Sequence, residues 1–177
     1  MEAPNNFLIV FHGAFTKWHG IIDLIKAAEI VQKKDYTIKF LLIGGGELEK
    51  TARSLAPNNC IFLGKKNYEN IPYYLAACDV GIAPFSILPP YIKKLGFYWT
   101  PMKIFEYMAL GLPIITADYK ELRKIANNAT FYQPGDYRAL ANAILKIKKY
   151  KKHPKVTEKY SWDNQAKKMD KILKEIA

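Results

Sequence analysis

PMKIFEYMALGLPIIT, Pro101 to Thr116, is the stretch that decides the fold. An amphipathic run carrying one glutamate leads straight into Gly-Leu-Pro and a short apolar β-type segment. On a helix, Ile104, Phe105, Met108 and Ala109 are expected on one apolar side, at i, i+1, i+4 and i+5. Lys103 and Glu106 stand three apart near the first turn, where the free amides and dipole of a helix N-terminus attract anions. A cation and a carboxylate at that positive end suit a ligand with both phosphate and hydroxyl groups, such as a nucleoside diphosphate with its ribose. The plainer reading of the same residues is an ordinary amphipathic helix with an i,i+3 surface ion pair.

Outward from this stretch, apolar strands alternate with amphipathic helices. Short apolar runs predict strands at residues 7–11, 37–43, 60–63, 79–83, 113–116 and 130–132. Helical spacing predicts helices at 21–32, 47–55, 71–77, from 101, and at 119–126, 136–150 and 162–176. A long irregular segment, 84–100, precedes the Pro101 helix. Such alternation predicts a single α/β domain: a doubly wound parallel sheet, Rossmann-like, covered on both faces. Ligands of these sheets bind beyond the carboxyl ends of the strands, which singles out the loops at 12–20, 44–47, 64–70, 84–100 and 116–120.

At 177 residues the chain fits one domain with a full core. Its formal net charge of +11 is carried almost wholly by lysine, since Arg53, Arg123 and Arg138 are the only arginines. The charge favours anionic partners, nucleotides or acidic lipid surfaces. The scarcity of arginine speaks against base-reading of DNA, and nucleic acid is not an expected partner. Cys60 and Cys78 stand in apolar company and read as small core residues. His12, His19 and His153 form no metal-ligating spacing, so no metal is expected. Neither a secretory leader nor a membrane span is apparent, so a cytoplasmic location is expected.

Two glycine turns stand at strand ends. The first, 12–20, pairs Gly13 and Gly20 with Lys17 and His19 as donors for an anion. Its plain reading is a strand-to-helix turn with a packed Trp18. The second, Gly44-Gly45-Gly46-Glu47-Leu48, is neither GxGxxG nor GxxxxGK[ST], which excludes a nicotinamide-type fingerprint and a P-loop. No paired-carboxylate signature and no GxSxG elbow occur. Glu106 is the one acidic residue in a chosen setting, and a lone carboxylate there suits hydroxyl binding better than proton transfer.

Together the segments IKFLLIGGGELE, NCIFLGKKNYENIPYYLAACDVGIAPF, PMKIFEYMALGLPIITADYKELRKI and YSWDNQAKKMDKIL resemble the C-terminal, nucleotide-sugar-binding half of GT-B glycosyltransferases, in particular retaining family 4. The most specific part is FEYMALGLPIIT. The resemblance implies sugar transfer from a UDP-, GDP- or ADP-linked donor to an acceptor hydroxyl in glycan biosynthesis, without a metal or other cofactor. It places Glu106 on the ribose hydroxyls and Thr100, Met102 and Lys103 at the diphosphate. Gly13 to Gly20 falls in the first phosphate loop, and Gly64, Lys65 and Lys66 near the base. Lys103 and Glu106 are the residues implied to act in the reaction. The chain departs from the family where Tyr98 replaces the first glutamate of a pair, at the donor sugar. It departs again where Ala14 replaces an arginine, His19 replaces a lysine, and Pro101 offers no amide. WHG together with TPMKIFEYMA resembles one branch of the family, in which Lys103 supplies the missing cation.

The family's enzymes carry a further, N-terminal acceptor domain. The chain is therefore expected to be one part of a larger enzyme or a subunit of a split one, and to transfer little alone. The stripe Trp162, Ala166, Met169, Ile172 and Ile176 is expected to pack on the chain's own sheet, the alternative being a face left for that other domain. The lysine run 146, 148, 149, 151, 152 and 155 suits an acidic membrane surface, peripheral at the inner face, or a simple solvated face. Two other classes fit the scaffold: a non-catalytic nucleotide-binding or docking module, and a nucleotide-sugar epimerase-like protein.

Overall fold

The computed structural model describes residues 6–86, 101–148 and 160–176. Six parallel strands form one sheet: β1 (Phe7–Ala14), β2 (Ile38–Gly45), β3 (Cys60–Gly64), β4 (Val80–Ala83), β5 (Ile114–Ala117) and β6 (Thr130–Tyr132), in the order β3-β2-β1-β4-β5-β6. The helices between them are α1 (Ile21–Lys34), α2 (Glu49–Leu55), α3 (Ile71–Ala76), α4 (Met102–Ala109), α5 (Lys120–Ile125) and α6 (Tyr137–Ile147), and α7 (Trp162–Ile176) follows. This is the doubly wound α/β architecture that the sequence predicts. All four residues of β4 and of β5 are buried, as strands covered on both faces require.

The strand order reverses between β1 and β4, and there the sheet begins to part. Their pairing is confined to Ile9↔Val80 and Val10↔Gly81. Tyr107 of α4 closes the gap from one face. Its hydroxyl lies 3.2 Å from the carbonyls of both Val10 and Ile82, so one phenol links the two diverging strands. The ring lies directly on the β4 backbone, because Gly81 has no side chain to hold it off. A Cβ at Gly81 would lie 2.3 Å from Tyr107 Cγ. We expect Gly81→Ala to lower stability by about 2 kcal/mol through overpacking, read as a shift of the urea midpoint without a change in slope.

Several expectations are corrected here. Of the expected apolar stripe of α4 only Ile104 is buried; the other buried residues of the helix are Lys103 and Tyr107, and Met108 and Ala109 are partly covered. Phe105 is only partly covered, its ring centroid 4.8 Å from that of Tyr160. Strand β1 runs on through Gly13 to Ala14, since Gly13 and Gly44 pair side by side across β1 and β2. Helix α2 starts at Glu49, because the Gly46 carbonyl first takes the Glu49 amide in a turn. In α7, Ala166, Met169 and Ile172 are exposed, so this part of the stripe does not pack on the sheet. Cys78 is buried and Cys60 partly so, and neither is in a disulfide.

Candidate functional site

The parting of β1 and β4 leaves a crevice at the carboxyl edge of the sheet, the position at which open α/β sheets take their ligands. Two hollows meet there. The first, about 260 Å³, lies between the end of β1 (His12, Gly13), His19, Phe85 and the start of α4 (Pro101, Met102, Lys103). The second, about 240 Å³, lies on the other side of His12 and Gly13, walled by Gly44, Lys65, Lys66 and Ile71. His12 and Gly13 form the sill between them.

Helix α4 aims its first turn at the first hollow. Ile104 N–H already bonds the Pro101 carbonyl at 2.9 Å, which leaves the Met102 and Lys103 amides of that turn without an acceptor among the described residues. Lys103 is 7% exposed, and its Nζ has no hydrogen-bond partner. The ammonium lies 4.5 Å from the Phe11 ring centroid and 5.4 Å from that of Phe85. Aromatic faces attract a cation but satisfy none of its donors. Burial brings its pKa from 10.5 to about 7, against the opposite pull of the Glu106 carboxylate. The plain reading of Lys103 and Glu106 as a surface ion pair therefore fails: the lysine is buried and the carboxylate pairs elsewhere.

Glu106 reaches across the crevice. Its Oε2 lies 2.7 Å from His12 Nε2, although the two are not aligned as a hydrogen bond. Its Oε1 accepts from the Tyr68 hydroxyl at 3.3 Å. The charge of Glu106 raises the pKa of that phenol, so Tyr68 stays protonated and remains a donor. Four buried polar side-chain atoms lack a hydrogen-bond partner among the described residues: His12 Nε2, Lys103 Nζ, Glu106 Oε2 and Tyr132 Oη. Three of the four meet at this crevice. Folded proteins rarely leave such atoms unsatisfied unless something else supplies the partner.

His19 differs from the cationic donor that the sequence suggests. Its Nδ1 lies 2.9 Å from the Ala14 carbonyl and 3.0 Å from Thr16 Oγ1. A carbonyl only accepts, so Nδ1 holds the proton and Nε2 presents a lone pair. Burial, and then the Lys103 ammonium, bring its pKa down to about 4. At neutral pH the imidazole therefore carries no charge.

Of the other sequence candidates, Gly13, Met102, Lys65 and Lys66 line the two hollows. Gly20 begins α1, and Gly64 ends β3 on the same edge. Lys17 is exposed and lines neither hollow. Tyr98 and Thr100 lie outside the described residues. Sequence reasoning missed His12 as a ligand of Glu106, Tyr68 as its second one, and the Phe11–Phe85 pair around Lys103. The signal was present, since His12 and Tyr68 both fall in segments that the sequence places at the carboxyl edge, although the structure keeps His12 in the end of β1. Among the described residues, no group of three or more metal-ligating side chains gathers, and no helix is long and apolar enough to cross a membrane. Of the lysine run, Lys146 is exposed and Lys148 is tied to Asp35 at 2.6 Å, while 149, 151, 152 and 155 lie outside the described residues.

The fold and its crevice define a Rossmann-like α/β domain of the GT-B kind. Residues 6–149 match the family "Glycosyl transferases group 1", and the chain belongs to it. It is 28% identical over 151 residues to the Staphylococcus aureus capsular polysaccharide biosynthesis glycosyltransferase CapM, covering 81% of this chain and 37% of that protein. It is 29% identical over 119 residues to the Bacillus subtilis putative teichuronic acid biosynthesis glycosyltransferase TuaH, covering 64% of this chain and 28% of that protein, so the chain spans about a third of each of these two relatives. Among solved structures, Anabaena HepE in complex with UDP and glucose superposes with a TM-score of 0.67 at 23% identity, over 82% of this chain and 39% of that one. The C-terminal domain of LpcC from Francisella tularensis, a glycosyl transferase group 1 family protein, superposes with a TM-score of 0.63 at 19% identity, over 82% and 76%.

Proposed function

We propose that this chain is the donor-binding half of a retaining, metal-independent glycosyltransferase of glycan biosynthesis. In this reading it holds a nucleoside diphosphate sugar whose sugar passes to an acceptor hydroxyl. The observation that carries the reading is the meeting of an unpartnered buried ammonium, a carboxylate and an imidazole at one crevice beside a helix N-terminus. A diphosphate supplies acceptors to Lys103 and to the α4 amides, and a ribose supplies hydroxyls to Glu106. The second hollow, beside Lys65 and Lys66, takes the base. Gly13, with its backbone exposed between the hollows, lets the ligand lie close to β1, and Gly20 shapes the loop above it. The donor-sugar contact of Tyr98 and the diphosphate contact of Thr100 belong to the proposal through the family resemblance.

The chemical demand of such a reaction is on the leaving group. Negative charge grows on the departing diphosphate, and prearranged donors in a desolvated crevice stabilise it more than water does. Lys103 and the α4 N-terminus are placed for that. His19, whose Nε2 presents a lone pair, joins them by taking up a proton with the ligand. The acceptor-binding side belongs to residues outside this chain, so we propose that the chain alone binds donor and transfers little. A non-catalytic nucleotide-binding module would bind the same ligands, and would show no transfer even with an acceptor domain supplied.

Calorimetric titration with UDP, GDP and ADP tests the reading. One nucleotide is expected to bind, and Glu106→Gln is expected to weaken it by about ten-fold or more, as loss of charge-assisted hydrogen bonds implies. A folded sample that binds none of the three overturns the assignment of a donor site to this chain.

A further inference from the structure

We propose that His12 and Tyr68 are positioning residues: they fix the Glu106 carboxylate across the crevice and so make the site select ribonucleotides over deoxyribonucleotides. The inference rests on the donor-site reading above and adds the residues that enforce its selectivity.

Glu106 sits on α4, yet both of its oxygens meet groups from other elements. His12 comes from the end of β1, at 2.7 Å from Oε2. Tyr68 comes from the short 3-10 turn Tyr68–Asn70 ahead of α3 and donates to Oε1 at 3.3 Å. The three residues therefore tie together three segments of the carboxyl edge.

The imidazole is itself held. Its ring stands edge-on to Tyr107, centroids 5.5 Å apart and planes at 82°. Tyr107 is in turn fixed by the carbonyls of Val10 and Ile82. The order of support runs from the paired strands to Tyr107, to His12, to Glu106. His12 also lines both hollows, so the carboxylate it steadies stands where they join.

A carboxylate offers about four lone-pair directions. Tyr68 uses one, and His12 stands beside another without an aligned hydrogen bond. The remaining directions suit two hydroxyls of a cis-diol, each donating to one oxygen. A free Glu106 side chain would adapt to one hydroxyl as readily as to two. A carboxylate bonded by Tyr68 at one oxygen and blocked by the close contact of His12 at the other cannot swing to recover what a missing 2′-hydroxyl takes away. Sites built to hydrogen-bond a hydroxyl reject the analogue lacking it, because their polar groups are left unpaired.

The alternative is that the three side chains only brace α4. The two roles separate by comparing UDP with 2′-deoxy-UDP in titrations of the wild type, His12→Phe, Tyr68→Phe and Glu106→Gln. Phenylalanine keeps the ring that packs on Tyr107 and removes only the nitrogen. The wild type is expected to prefer UDP by about ten-fold or more, a hydrogen bond to a charged group being at stake. His12→Phe and Tyr68→Phe are expected to bring that preference to within about three-fold, with affinity for 2′-deoxy-UDP almost unchanged. His12→Gln, which puts a polar nitrogen back beside Oε2, is expected to regain part of it.

If both nucleotides weaken in parallel, the residues are braces and the proposal is overturned. If Glu106→Gln abolishes the preference while His12→Phe and Tyr68→Phe keep it, the positioning proposal fails and the donor-site reading stands. If Glu106→Gln keeps the full preference, the ribose role of Glu106 fails, and this proposal with it. Should His12→Phe not fold, Tyr68→Phe carries the test alone, because Tyr68 is 72% exposed and its hydroxyl supports no core. The GDP and ADP pairs are run alongside, and absence of a ribose preference in all three overturns the inference.

Discussion

Lys103→Met is expected to weaken nucleoside diphosphate binding at least about 100-fold, or roughly 3 kcal/mol, while making the empty protein more stable. Lys103 is buried, its ammonium faces two aromatic rings, and no acceptor among the described residues satisfies it. It also stands at the positive end of α4, where a cation is disfavoured. The burial, the missing acceptor and the helix end are costs that the aromatic faces offset only in part, and they turn favourable when an anion enters. Methionine keeps most of the length and apolar packing and removes the buried charge, so the empty protein gains where the site loses. This opposition between stability and function is expected of a binding group placed for its ligand.

The pH dependence follows with a definite sign. Folding moves the Lys103 pKa from 10.5 down to about 7. Between those values the unfolded chain holds more protons than the folded one, so this residue makes stability rise as pH rises through the window. Its destabilising effect is complete below about pH 7 and relieved near the unfolded pKa. Affinity for a diphosphate moves the other way, because the proton it needs is lost over the same interval. Thermal melts at pH 7 and pH 9, with and without nucleotide, are expected to show the empty protein gaining stability relative to Lys103→Met and the ligand-induced increment shrinking. A Lys103→Met protein that binds as the wild type does removes Lys103 from the phosphate site.

What was legible in the sequence follows from how each residue's surroundings write themselves locally. Strands β4 and β5, buried on both faces, read as unbroken apolar runs, and the alternation with helices was enough for the sheet. The face of α4 was misread because, of the two residues that matter there, Lys103 is charged and Tyr107 is amphipathic, so neither marks a buried face. Tyr107 is buried only because Gly81, 26 positions earlier, leaves room for its ring. That is a pairing between distant residues and has no local signature. His12 looked like an isolated histidine, since its partner Glu106 lies 94 residues away in sequence. Gly20, by contrast, was visible as a punctuation mark ahead of a helix, though not the reason it has to be glycine.

That reason yields the second large effect. Gly20→Ala is expected to destabilise the protein by at least about 3 kcal/mol and to abolish nucleotide binding at the same temperature. Gly20 has φ +68, in the left-handed region, and its C=O begins α1 by accepting the Leu24 amide at 3.0 Å. A Cβ built there would lie 1.3 Å from the Pro84 carbonyl oxygen and 2.5 Å from the Pro84 carbonyl carbon. Both are backbone atoms, so no rotamer change relieves the overlap. The first loop and the segment after β4 would have to separate. Between them run the Ser86 N–H to the Trp18 carbonyl at 3.1 Å and the Ser86 hydroxyl to Asp23 Oδ2 at 2.8 Å. On the far side of the same segment, Tyr119 donates to the Ser86 carbonyl at 2.7 Å. Separation breaks the first two, drags on the third, and carries Phe85 away from both Lys103 and His19, so the phosphate side of the crevice opens with the fold. Gly20→Ala is therefore expected to fail in binding even where denaturation shows the chain still folded, whereas Gly81→Ala, whose clash lies beneath Tyr107 within the sheet, is expected to keep measurable nucleotide affinity. Equal loss of affinity in the two variants would show that the Gly20–Pro84 contact serves stability alone.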